Sequence, residues 1–225
     1  MCTHPHSVRT IAVDWSGARD PRRTLWLAEA CAGELVRIEA GRTREELVEH
    51  LLEEAARDPA LVVGLDFAFG FPKWFARAPE AWTRAAADGE AWLRDPRPPF
   101  WRGKRPPPQG DDFRRTDREV GGAPQSVFKL VGAGQVGTGS LRGMPFLPRL
   151  RERFAIWPFD EPRLPLLVEI YPRLHLDALG EYPNEHARDA AATALAMSRF
   201  DAWLRLPCDP AYRLEGRIWS PDLVR

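Results

Sequence analysis

Apolar and polar positions near the start of the chain alternate as short strands do, before any helical stripe appears. Arg9 to Asp14 (RTIAVD) is a β-branched run that ends on an acid and leads into the turn-like Trp15-Ser16-Gly17. Thr24 to Ala30 (TLWLAEA) and Glu34 to Glu39 (ELVRIE) flank Cys31-Ala32-Gly33, which predicts a hairpin with a glycine-containing loop. Thr43, with Glu46 three residues on, has the spacing of a capping box. The helix it opens carries Leu47, Val48, Leu51, Leu52 and Ala55 on one face and stops before Pro59. Leu61 to Asp66 (LVVGLD) is apolar until its final acid, the pattern of a strand buried on both faces. Strand, hairpin pair, helix and strand in this order predict an α/β domain with a mixed sheet.

The second half is less regular. Trp74, Phe75, Trp82 and Trp92 between Pro72 and Arg94 have spacings that suit helical packing. Asp95 to Pro124 holds seven prolines and reads as a Pro/Arg-rich insertion loop (95–124) within the domain. Gln125 to Val131 fits a strand or a helix, and Gly132 to Gly143 reads as a glycine-rich loop. Phe154 to Phe159 and Leu166 to Ile170 are two further strands. A last helix starts at Asn184 or Glu185 and runs to about Leu206, with Ala187, Ala190, Ala191, Ala194 and Leu195 as a small-residue stripe. Neither an internal repeat nor a clean boundary divides the chain, so residues 1–225 are expected to form one domain.

Composition narrows the class. An apolar share of 44% with 28% charged residues is that of a globular domain. Thirty-two basic residues balance thirty-two acidic ones, so no global field draws the chain towards nucleic acid or membrane. No strongly apolar run is long enough to span a bilayer, and Met1 to Arg9 lacks the apolar core of a signal peptide. A cytoplasmic protein with no membrane partner is expected. Cys2, Cys31 and Cys208 are widely spaced and form no CxxC, which suggests neither a zinc knuckle nor a disulfide framework.

Four acids stand out by position. Asp14 ends the first strand, Asp66 the central apolar strand, and Glu169 lies near the end of a later one. Asp189 sits in the first turns of the last helix, on the same side as His186. In an open α/β sheet the carboxyl ends of neighbouring strands line the natural binding crevice. Carboxylates gathered there repel one another, and cations relieve that repulsion. A few hard oxygen ligands, completed by water and substrate phosphate, describe a Mg²⁺ or Mn²⁺ site. Two such ions about 4 Å apart activate water and stabilise the leaving oxygen in phosphodiester hydrolysis. Any one of these acids alone fits a simple turn or helix cap as well.

The segments IAVDWSGA (11–18), VVGLDFAFGFP (62–72), VEIYPRL (168–174) and HARDAAATALA (186–196) resemble the motifs of the domain-of-unknown-function 429 family. That family is described as predicted ribonuclease H-like nucleases, and the likeness covers most of the chain in matching order. The resemblance implies a ribonuclease H-like fold: a five-stranded mixed sheet, its first three strands antiparallel, with helices on both faces. It also implies that Asp14, Asp66 and Asp189 match the superfamily's metal-binding acids, with Glu169 the family's own EIYP acid. On this reading the chain is a metal-dependent hydrolase of phosphodiester bonds, using Mg²⁺ or Mn²⁺. Asp14, Asp66 and Asp189 hold the ions, Glu169 is a further ligand or water-positioning base, and His186 orients or relays a proton. Lys129, Arg114 and Arg115 are the phosphate contacts, and the partner is a nucleic acid or a phosphorylated small molecule.

The charge balance leaves other readings open. From Arg94 to Arg118 eight basic residues face four acids, a patch for phosphates or a solvated loop. Gly132-Ala133-Gly134-Gln135-Val136-Gly137 matches GxGxxG, and Asp160 follows at about the distance a dinucleotide site requires. Against that reading, Pro145 and Pro148 fall where its helix would run. A non-catalytic scaffold whose acids have lost their metal is the remaining alternative.

Overall fold

A computed structural model describes residues 8–132, 135–175 and 180–224. The β-branched start forms β1 (Arg9–Asp14), and the hairpin forms β2 (Trp26–Cys31) and β3 (Glu34–Ala40). Ala32 and Gly33 close the hairpin with φ of 51° and 82°, the pair of positive values that a tight two-residue turn needs. Thr43 caps α1 (Arg44–Arg57) with both hydrogen bonds of the capping box in place. The apolar run after it is β4 (Leu61–Leu65). Then come α2 (Glu80–Arg94), α3 (Arg115–Glu119), α4 (Val136–Gly143) and α5 (Leu147–Leu150). Two short strands, β5 (Ala155–Ile156) and β6 (Leu166–Glu169), precede α6 (Glu185–Ser198).

The strands make one mixed sheet in the order β3-β2-β1-β4-β6-β5. β1, β2 and β3 are antiparallel neighbours, whereas β4 runs parallel to β1 and both β5 and β6 run parallel to β4. The sheet thus has six strands and not five, because the stretch from Phe154 to Phe159 adds a two-residue edge strand. Side chains alternate across β1. Ile11 and Val13 join α1 and α2 in a core rich in Phe and Trp, while Ala12 faces α6 with Ala28 and Ala30. Ala190, Ala191 and Ala194 on α6 are fully buried, so this helix lies close against the sheet. The Thr10 hydroxyl donates to the Ala194 carbonyl at 3.1 Å, fixing its height.

Several expectations change. The last helix ends at Ser198 rather than near Leu206, and Trp203 lies on a separate 3₁₀ turn. Trp82 is buried, as its helical spacing predicts, but Trp74 is exposed. Residues 125–131 form neither strand nor helix, contributing one isolated bridge at Lys129. Most of the glycine-rich stretch is helix α4, and the described residues just before it, 125–132, form no strand, which removes the strand–turn–helix frame of a dinucleotide fingerprint. Ala133 and Gly134 of that motif lie outside the described residues. Cys31 is disulfide-bonded, against the sequence expectation, and Cys208 is a free thiol. Among the described residues no helix is long and apolar enough to cross a membrane.

The glycines of α4 serve close packing. A Cβ on Gly137 would stand 2.3 Å from the Val127 carbonyl oxygen and 2.8 Å from that of Lys129, and neither backbone atom yields easily. Gly137→Ala is therefore expected to lower stability by about 1–3 kcal/mol. Gly121→Ala, where nothing lies within 4 Å, should stay within about 0.5 kcal/mol of the parent. Urea denaturation of the two variants makes the comparison.

Candidate functional site

The parallel pairing of β1 with β4 sets the site. Val13 lies opposite Leu65, and the Asp66 amide donates to the Val13 carbonyl at 3.0 Å, so Asp14 and Asp66 emerge side by side. α6 crosses the same strand ends, with Asn184 as its cap accepting from the Ala187 amide at 2.9 Å. Its first turns bring His186 and Asp189 to the acids. Asp14, Asp66, Glu169, Asp189 and His186 all line one cleft of about 430 Å³. The sequence-predicted acids thus converge, but they are not equivalent.

His186 Nδ1 lies 2.8 Å from Asp14 Oδ2, and this hydrogen bond raises the imidazole above its ordinary value. Burial pushes the Asp14 carboxyl up, against the pull of His186. Asp189 keeps one oxygen on Arg188, at 2.9 and 3.1 Å. Asp66 has no side-chain hydrogen bond or ion pair among the described residues. Its carboxyl is pushed well above the ordinary carboxylate range, first by burial and then by the charges of Asp14, Asp189 and Glu169.

Glu169 is differently placed. Its side chain is buried, with Oε1 taken by Arg114 Nη2 at 2.6 Å and Oε2 by Arg114 Nη1 at 2.7 Å and the Phe69 amide at 2.9 Å. Arg114 also forks onto Asp117, at 2.8 and 3.1 Å. Burial alone would lower this guanidinium, but Asp117 and Glu169 outweigh it and hold it charged. Arg114 is 2% exposed, so it holds Glu169 and does not offer a surface phosphate contact. The same fork occupies Glu169, which serves as an anchor for the Phe67–Phe69 segment and not as an open ligand.

The other phosphate candidates also move. Arg115 is exposed but pairs with Glu119 at 2.7 Å, and Lys129 donates to Gln125 at 3.1 Å; neither lines the cleft. Within the insertion Arg105 pairs with Asp112 and Arg118 with Asp111, so these two guanidiniums are already engaged. Cleft residues that the sequence reading missed are Tyr171, Arg173, Gln125 and Gln135. Arg173 is exposed, and its one signal is its place in the YPR that follows Glu169.

Among the described residues no three acidic, histidine or cysteine side chains form a ready-made metal cage, so the expected triad is not preformed. A hydrated Mg²⁺ needs less, since one or two carboxylates suffice and water or phosphate fills the rest. Asp66, unpartnered beside Asp14, fits that demand. Comparison of the chain with protein-family models, with curated proteins and with solved structures finds no match.

Two variants separate these roles. Arg114→Met leaves Glu169 and Asp117 buried without a cation and should cost about 3–5 kcal/mol, whereas Arg115→Ala, on an exposed pair, should leave the melting temperature nearly unchanged. Asp66 is favoured protonated in the folded state, so its contribution is complete below the ordinary value of 3.8 and is lost as pH rises through its folded value. Asp66→Asn should therefore raise the melting temperature at pH 7 without divalent ions. Each unit of pKa elevation is worth at most about 1.4 kcal/mol, and the gain should vanish near pH 3.5, as thermal melts across pH will record.

Proposed function

We propose that the chain is a Mg²⁺- or Mn²⁺-dependent phosphodiesterase of ribonuclease H-like fold. The observation that carries the proposal is Asp66, a strand-end carboxylate beside Asp14 with no side-chain partner among the described residues to compensate it. Three antiparallel strands followed by β4 and β6 parallel to the first support the fold assignment, with β5 as an added edge. A bound ion would supply Lewis-acid activation of water and neutralise charge on the phosphate.

The chain's own residues do the rest. Asp14 and Asp66 hold the hard cation, with Asp189 facing the same cleft to orient bound water. In hydrolysis the water oxygen bonds to phosphorus, the bond from phosphorus to the leaving oxygen breaks, and that oxygen takes up a proton. Asp14 fixes His186 through Nδ1, which leaves Nε2 as the nitrogen that relays this proton. Arg173, at the cleft wall, faces the non-bridging oxygens.

Hydrolysis of bis(p-nitrophenyl) phosphate in Mn²⁺ tests the proposal. Asp66→Asn and Asp14→Asn are expected to drop to background while keeping the parent's circular dichroism spectrum. Full activity in either variant would refute it.

A further inference from the structure

Outside the cleft, a basic surface lies where α2 meets α4. Arg19, Arg94, Arg102 and Arg142 surround a depression of about 480 Å³, and Glu90 is the one carboxylate among its lining residues. An adjoining depression of about 370 Å³ shares Arg19, Glu90 and Arg142 and adds Arg44 and Glu45. The Glu90 carboxylate is already taken by Arg142, at 2.8 Å. Arg19 and Arg94 are exposed, and their side chains make no hydrogen bond or ion pair among the described residues. That sets them apart from the insertion's arginines, most of which are paired.

This basic groove lies next to the acid cleft. Gln135 lies in the wall of both, and Ala18 of the cleft precedes Arg19 of the groove. Arg142 Nη1 donates to the Gly17 carbonyl at 2.6 Å, and Arg44 Nη2 to that of Ser16 at 2.7 Å. Two guanidiniums thus brace the strip that separates groove from acids. They also crowd each other: burial, and then the charge of Arg142, lowers Arg44. Guanidiniums gathered on a surface with so few free carboxylates suit phosphate oxygens, which accept from them in forked pairs.

We propose that this groove binds the phosphates flanking the scissile one in a nucleic-acid strand whose reacting phosphate lies in the acid cleft. The inference rests on the phosphodiesterase reading of that cleft. A small phosphate ester would be held within the cleft and would have no further phosphate for the arginines outside it. A strand has one at every nucleotide, and its affinity falls with salt as those contacts release counterions.

The probe is a fluorescein-labelled single-stranded 12-mer, followed by fluorescence anisotropy in EDTA so that no hydrolysis intervenes. The double variant Arg19→Glu/Arg94→Glu changes two exposed side chains that make no hydrogen bond or ion pair among the described residues, and a thermal melt should stay close to the parent's. It is expected to bind at least about 10-fold more weakly, with a salt dependence shallower by about 1–2 log units per log unit. Arg115→Glu, reversing a paired arginine that does not line the groove, should keep the parent's affinity. Unchanged affinity in the double variant, or an equal loss in Arg115→Glu, overturns the groove. Hydrolysis of bis(p-nitrophenyl) phosphate separates this result from the reading beneath it, because that substrate has no flanking phosphate. A parent that hydrolyses it, with a double variant that binds the strand as well as the parent, removes the groove and keeps the cleft. A parent inactive on every phosphodiester, with weakened strand binding in the double variant, keeps the groove as a strand-binding surface and removes the catalytic reading.

Discussion

Two carboxylates at the ends of neighbouring parallel strands cannot move apart without breaking the ladder that carries them. The β1–β4 pairing continues one hydrogen bond past the last residues of β4, from the Asp66 amide to Val13, and so fixes Asp14 and Asp66 together. Their repulsion in a partly desolvated cleft is an energetic debt set by topology. α6, held close by its alanines, answers Asp14 with His186. Among the described residues nothing answers Asp66. On the proposed function, a divalent cation would do so.

The remaining strand-end acid is managed separately. Glu169 ends β6 beside β4, and without Arg114 it would join Asp66 as a second uncompensated carboxylate in the same cleft. The bidentate fork cancels its charge, and its second oxygen also binds the Phe69 amide, so the segment following Asp66 is held in place. Arg114 comes from the proline-rich insertion, and Thr116, two residues on, accepts from the Ile218 amide. The insertion is thereby part of the structural core of the site. Most of its arginines are paired with carboxylates, and Arg19 and Arg94, unpaired among the described residues, lie instead where α2 meets α4.

Much of this was legible in the sequence. The RTIAVD and LVVGLD runs, the hairpin, and the capping box at Thr43 all fell where local propensity and periodicity put them, because each signal is short-range. The convergence of Asp14, Asp66, Asp189 and His186 was also legible, since strand ends and the first turns of a helix have predictable places in an α/β sheet. What failed depended on distant contacts. Phe154 to Phe159 looks like a full strand, yet only Ala155 and Ile156 pair. Glycines that suggest a flexible loop instead let α4 pack against Val127 and Phe67. The burial of Arg114 against Glu169, 55 residues away, has no local signature at all. A charge count could register an arginine there but not its partner.

The central claim is that Asp66 is left uncompensated so that a divalent cation can bind beside it. Calorimetric titration with Mn²⁺ of the parent and of Asp66→Asn tests it most directly. The account predicts a saturable heat for the parent that disappears in the variant. Equal binding by both proteins, or no binding by the parent even with a phosphodiester present, would contradict it.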